Sequence, residues 1–224
     1  MLMKRDSNAL KKDNTKLSGK KTVGFHYDLN LTAIKDYCKK KSCTINDYCS
    51  TLLSVSLYEY FENEEKRAIQ AREKVYKIPT TLNVAVPFSL RQPFKTLTDV
   101  KMKNDFGSIL INLKPIKEFS DALPVVKKQF GELKGSLMPF GVLYSTKISV
   151  SLPFLLPKMM LDDLTDKYSI VYSNLNASKN SYWFDGKKNL HHFFVAPGVG
   201  KLTTGVALCT VGTNMSIGVF SDEV

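Results

Sequence analysis

From Val23 onward, apolar and polar positions alternate in two different rhythms. "VGFHYDL" repeats every second residue, as a strand does. "NLTAIKDYCKKK" then spaces Leu31, Ile34 and Cys38 as a helix does, with Asn30 or Thr32 as its cap. "SCTINDYCSTLLSVSLYEYF" predicts a second helix. Thr44 followed three residues later by Asp47 has the form of a capping box, and Ile45, Tyr48, Cys49, Leu52, Val55 and Tyr58 mark the expected buried stripe. The charged run "ENEEKRAIQAREK" is expected to end that helix. "TLNVAVPFSL" reads as a strand whose Pro87 suits an edge or a terminus, and "NDFGSILINLKP" as another strand introduced by a turn.

"SDALPVVKKQFGELKG" has amphipathic helical spacing, with Pro124 expected in the first turn. "YSIVYSNLNAS" alternates again and is expected to close at Asn174, with Tyr168, Ile170 and Tyr172 on one face. "LHHFFVAPG", "LTTGVALCTVG" and "NMSIGVFSD" predict three short strands joined by Gly-rich turns. The mixture predicts an α/β (α+β) domain with a mixed, largely antiparallel sheet flanked by helices.

Composition changes this picture at one end. The chain has 224 residues, 43% of them hydrophobic, enough for one or at most two compact units with a sizeable core. Its formal charge is +11, and the first 21 residues hold seven Lys/Arg against two Asp, which supplies +5 of that. With no apolar periodicity, residues 1–22 are expected to form a flexible basic arm ahead of a domain over 23–224. The arm lacks the apolar centre of a secretory signal, so the chain is expected inside the cell. Basic charge alone suits nucleic acid, an anionic membrane or a phosphorylated ligand, but no basic face interleaved with aromatics points to nucleic acid.

Candidate chemistry is sparse. The four cysteines, Cys38, Cys43, Cys49 and Cys209, form no C-x-x-C pair and are expected to be reduced. The three histidines lack metal-ligand spacing, and His191-His192 in a strand sends its rings to opposite faces. No G-x-S-x-G, P-loop or G-x-G-x-x-G occurs. The apolar stretch Leu137 to Leu161 is broken by Lys147, Pro153 and Pro157, short of the roughly 20 residues that a membrane span needs. It is expected to form a helix pair that either fills the core or lies at a membrane interface.

Order carries more than any single motif. "TINDYCSTLLSVSLYEYF", "NVAVPFSLR", "NDFGSILINL", "YSIVYSN" and the ending "SIGVFSD" follow one another across Phe25 to Asp222. In that sequence they resemble the C-terminal domain of the wax ester synthase/diacylglycerol acyltransferase family, with its T-V-N-D, V-P-V-S-L-R, N-x-F-G and S-N-V-P-G segments. The resemblance implies a chloramphenicol-acetyltransferase-like, CoA-dependent fold in which two similar domains enclose a tunnel. It implies acyl-CoA as substrate, with no cofactor, and a lipid alcohol as acceptor, giving triacylglycerol or wax ester. The family's general base lies in an H-H-x-x-x-D-G motif of the other domain. That motif is missing here, since His191-His192 runs on into "FFVAP".

The resemblance therefore implies a C-terminal half that completes its site with an N-terminal catalytic half. The alternative is a catalytically silent lipid-binding or scaffolding protein of the same fold. It also implies an intracellular protein peripheral to the endoplasmic reticulum, plasma membrane or a lipid droplet, with Leu137 to Leu161 as the contact and Lys147, Lys158 and Lys167 meeting headgroups.

The matched positions are Asn46, Asp47, Arg91, Asn104, Ser173 and Asn174. Each has a second explanation. Asp47 caps a helix, Arg91 meets either a CoA phosphate or a carboxylate such as Asp99 or Asp105, and Asn104 suits a turn. Ser173 and Asn174 end a strand where the family places its tunnel, with "LNAS" in place of Pro-Gly.

Overall fold

The computed structural model describes residues 4–13, 16–89, 91, 96–99, 106–134, 155–181, 183–196, 198 and 200–223. The elements run β1 (Lys21–Asn30), α1 (Leu31–Lys40), α2 (Ile45–Ala71), β2 (Leu82–Ser89), a 3-10 turn (Leu97–Asp99), β3 (Phe106–Leu113) and α3 (Phe119–Lys134). They continue with α4 (Leu155–Lys167), β4 (Ile170–Ser178), the two-residue strands β5 (Trp183–Phe184) and β6 (Lys187–Lys188), β7 (Thr204–Val211) and β8 (Asn214–Asp222). Six strands form one mixed sheet in the order β1-β8-β7-β4-β2-β3. The pairs β1·β8, β7·β8 and β2·β3 are antiparallel, while β7·β4 and β4·β2 are parallel. The expected α/β class with a largely antiparallel sheet is the observed one.

One face of the sheet carries the main core. Leu82 and Val84 of β2, Ile111 and Leu113 of β3, Ile170 and Tyr172 of β4, Leu208 and Met215 pack there against Cys49, Leu57 and Phe61 of α2 and Val126 and Phe130 of α3. The other face holds Ala85, Phe220, Tyr168, Ala196 and Leu202. Ser216 and Gly218 share the side of β8 that carries Phe220, and the chain after β6 crosses β8 there, where Ser216 Oγ donates to the His192 carbonyl.

Gly218 has to be glycine, because a Cβ there would run into the Phe194 carbonyl oxygen. Gly218→Ala is expected to lose about 1–3 kcal/mol, since a backbone atom cannot swing aside as a side-chain end can. Urea unfolding that leaves the variant within about 0.5 kcal/mol of the wild type would contradict this packing.

Several local expectations change. Residues 4–13 are pinned to the domain, and β1 begins at Lys21, so the expected flexible arm over 1–22 is not what the described residues show. Asn8 and Lys11 are buried at 2% exposure. Asn8 Nδ2 donates to Ser169 Oγ at 2.9 Å, and Asp6 Oδ2 accepts from the Asn83 amide and Ser169 Oγ, each at 2.9 Å. The segment's polarity is spent on these distant partners, which is why no apolar rhythm announces it.

Pro87 belongs to a strand interior to the sheet but lies near its end, as expected of a terminus. The missing amide is tolerated because β4 pairs with β2 only at Val84 and Ala85, before the proline is reached. Helix α3 starts early enough that Pro124 falls past its first turn. The charged run ends α2 as expected, at Ala71 with a left-handed cap at Arg72, though most of the run is still helix and carries Lys66–Glu62 and Arg67–Glu64 ion pairs. "LHHFFVAPG" makes no strand among its described residues. Beside it, Asp185 (φ 46°) and Gly186 (φ 72°) form the left-handed two-residue turn that joins β5 to β6.

Candidate functional site

Three strands, β2, β4 and β7, run parallel, so their C-terminal ends share one end of the sheet. In open sheets with parallel strands, ligands favour that end, at points where neighbouring strands diverge. Such a point exists here. β4 stays paired with β7 from Ile170 to Ser178, but its pairing with β2 stops at Val171. β2 meanwhile continues to Ser89 alongside β3. The sheet therefore splits, and beyond Val171 the β2-facing edge of β4 has no ladder partner among the described residues.

Ser173 and Asn174 sit on that freed edge, half-buried and exposed respectively. The strand does not close at Asn174 as expected. Without the Pro-Gly turn, "LNAS" stays extended and pairs with β7, and Asn176 Oδ1 accepts from Thr210 Oγ1 at 3.2 Å. Leu175 is left 45% exposed beside the asparagines. Arg91 lies two residues beyond β2, at the same end of the sheet, and its amide donates to Ser89 Oγ at 3.2 Å. Asn104 lies outside the described residues, as do residues 137–154 of the apolar stretch.

Helix α2 starts close to this split. The expected capping box is present, with the Asp47 amide on Thr44 Oγ1 at 3.1 Å and the Thr44 amide on Asp47 Oδ2 at 2.8 Å. Asn46 is half-buried in the first turn. One turn on, Cys49 and Ser50 meet Tyr172, two residues before Asn174. Asp47 Oδ1, Ser50 Oγ and the Tyr172 hydroxyl are buried and have no hydrogen-bond partner among the described residues. Ser50 and Tyr172 are near enough to act on each other electrostatically while falling short of good hydrogen-bond geometry. Burial drives the Tyr172 hydroxyl far above an ordinary tyrosine pKa, with Cys49 adding to the rise and Ser50 opposing it. The structure thus sets Ser50, one turn beyond Asn46 and Asp47, against Tyr172, the neighbour of Ser173, a meeting that sequence rhythm did not single out.

His191 lies near the same end of the sheet, where Leu29, Met215, Thr210 and Asn176 fall in one row across β1, β8, β7 and β4. Its Nδ1 is 3.4 Å from Asp28 Oδ1 and its ring tilts against Tyr27 at 4.9 Å. Asp28 takes a left-handed φ of 69° at the break in β1 register. At about 4.8 Å per strand step, β1 stands three steps from β4, which separates this pair from the split. Among the described residues no group of His, Cys, Asp and Glu could hold a metal ion, and no helix is long and apolar enough to cross a membrane.

Comparison with known proteins adds a family. The family model described as the WS/DGAT C-terminal domain matches residues 102–224. That span contains Asn104, Ser173 and Asn174, and starts after Asn46, Asp47 and Arg91. Among solved structures, the wax ester synthase/diacylglycerol acyltransferase from Marinobacter aquaeolei VT8 is similar over 97% of this chain, at 16% identity and a TM-score of 0.61. The EpoB cyclization-docking bidomain from Sorangium cellulosum is similar over 95% of the chain, at 9% identity and a TM-score of 0.53. The condensation domain of the monacolin K polyketide synthase MokA is similar over all of it, at 9% identity and a TM-score of 0.51. At such identities these likenesses are of fold. No curated protein matches the sequence significantly. The chain covers 46%, 39% and 48% of those three structures, so it spans about half of each or less.

Proposed function

The chain belongs to the WS/DGAT C-terminal domain family, and from that premise we propose that it is the C-terminal half of a lipid O-acyltransferase. In this reading a long-chain acyl-CoA donates its acyl group to diacylglycerol or a fatty alcohol, and no cofactor takes part. The observation that carries the reading is the family match falling on the strand that borders the split in the sheet.

The freed edge of β4 presents backbone groups and the Asn174 amide, which can hold a carbonyl or a pantetheine-like amide. Arg91, at the end of β2, is suited to a CoA phosphate. Asn46 and Asp47 begin the helix that backs the same strand. The general base that takes the alcohol's proton belongs, in this reading, to the H-H-x-x-x-D-G motif of an N-terminal half. A peripheral membrane contact is supported by α4, where Met159 (60% exposed), Leu161 and Leu164 stand beside Lys158 and Lys167. Those lysines also pair with Asp162 and Asp163 on the same helix, so the apolar residues carry that part of the proposal.

Reconstitution tests the reading. The 224-residue chain, given palmitoyl-CoA with hexadecanol or diacylglycerol, is expected to form no ester above background. Mixed with an N-terminal half bearing H-H-x-x-x-D-G, it is expected to raise the rate by at least about 10²-fold, the lower end of what general-base help supplies. Acyl-CoA binding by the chain with no ester from the mixture would instead favour the silent lipid-binding reading.

A further inference from the structure

The turn between α1 and α2 places two cysteines face to face. Helix α1 ends in a Schellman motif: the Cys43 amide donates to the Cys38 carbonyl at 3.0 Å and the Ser42 amide to the Lys39 carbonyl at 3.1 Å. Ser42 takes the left-handed φ of 48° that this motif requires. The outer of its two hydrogen bonds brings together the side chains on either side of the turn, a contact usually made by two apolar residues. Here both positions are cysteine, near enough for the Cys43 thiol to act on that of Cys38, whose Sγ donates to the Thr44 carbonyl at 3.7 Å. Both are free thiols, with Cys38 buried and Cys43 half-buried.

We propose that Cys38 and Cys43 form a redox-closable pair, a disulfide modification site that joins the end of α1 to the residue preceding the α2 cap. The oxidant class is a small-molecule disulfide such as oxidised glutathione. The Cys43 thiolate, the more accessible of the two, attacks one sulfur of that disulfide, breaks its S–S bond and releases one glutathione thiolate. Cys38 then gives its proton to solvent and attacks the Cys43 sulfur of the mixed disulfide, releasing the second glutathione. The two cysteines lose two electrons together, and the two glutathiones leave as thiols carrying the two protons.

The order of attack follows from the surroundings. Burial first, and then the neighbouring Cys43 thiol, pushes the Cys38 thiol up to about 11, which leaves it a poor initiator. Cys49 is more deeply placed, pushed up to about 12 by burial with Cys38 adding to the rise. It lies inside α2, beyond the cap, and not across the Schellman turn. The bridge would form directly before Thr44, whose capping box orients Asn46 and Asp47. Oxidation would therefore fix the start of the helix that backs the split in the sheet.

The experiment uses the full chain, incubated with excess oxidised glutathione, alkylated with iodoacetamide, digested with trypsin and read by mass spectrometry. The expected product is the peptide of Cys38 linked to the peptide that begins at Ser42. Cys43 and Cys49 share that second peptide, so two variants assign the bond. Cys49→Ser should keep at least nine-tenths of the bridged product and Cys43→Ser should lose it, both with circular dichroism like that of the wild type. A bridge that survives Cys43→Ser, or glutathione remaining on Cys43 while Cys38 stays free to alkylate, overturns the proposal.

Discussion

Phe61→Ala is expected to lower the folding free energy by about 3–5 kcal/mol, the range for removing an aromatic ring from a core that cannot collapse around the gap. Phe61 has 0% exposure and lies midway along α2. It shares its cluster with Leu57 on its own helix, Val126 and Phe130 of α3, and Leu82 and Val84 of β2. Loss of the ring withdraws contacts from helix, helix and sheet together. The edge-on contact with Tyr60, at 5.4 Å and 71°, is lost as well. Urea unfolding should show a lower midpoint with an unchanged slope, since the surface exposed on unfolding is nearly the same. Leu52→Ala is the matched control. Leu52 is 39% exposed, and its truncation should stay within about 0.5 kcal/mol of the wild type. Equal losses in the two variants would mean that the buried face of α2 is assigned wrongly.

The same pair of residues shows where sequence rhythm reached and where it stopped. Large apolar residues suggested a stripe through Leu52 and Val55, but the buried face of α2 runs through Ser50, Thr51, Ser54, Leu57 and Phe61. Two of these hydroxyls can be buried there because they reach backbone carbonyls, one on the helix itself and one on a distant segment. Thr51 Oγ1 donates to the Asp47 carbonyl at 2.7 Å and Ser54 Oγ to the Lys114 carbonyl at 2.6 Å. Their small volume lets the helix lie close to its neighbours, and hydropathy does not register that. The caps were legible, because Asn30, and Thr44 with Asp47, act on amides three residues away or nearer.

The family was legible too, from the order of the motifs along the chain, and the family model matches residues 102–224. The split in the sheet was not legible. It depends on where the pairing of β2 with β4 stops, a long-range fact that no local pattern encodes. Ser173 and Asn174 were therefore picked out without the reason for their position. Ser50, which lay outside the expected stripe, and Tyr172, read only as a strand residue, connect β4 to α2 and were not singled out.

Lys11 was invisible for the same reason, and it gives the second large expected effect. Its Nζ donates to the carbonyls of Thr165 at 2.7 Å, Tyr168 at 2.9 Å and Lys201 at 3.3 Å, residues more than 150 positions away. The side chain is almost wholly buried, and burial lowers its pKa from 10.5 to about 8, with Asp166 and Asp6 resisting and Arg5 and Lys201 assisting. The folded protein thus releases the Lys11 proton near pH 8, while the unfolded chain holds it to pH 10.5. Between those values the unfolded state binds more protons, so this residue's contribution to stability rises with pH.

Below pH 8 the buried charge is a liability held in place by its three acceptors. Above it the neutral amine keeps hydrogen-bonding donors without that penalty. The stability difference between wild type and Lys11→Met should therefore shift in favour of wild type by up to about 3 kcal/mol from pH 7 to pH 10.5. The cysteines and tyrosines whose pKa is raised by burial act in the opposite direction over the same range, but they are common to both proteins and cancel in the difference. Urea titrations of both at half-unit steps would measure it. A difference that stays flat across the window would mean that Lys11 keeps its charge in the folded state, and that three backbone carbonyls with Asp166 and Asp6 are enough to replace water around a buried ammonium.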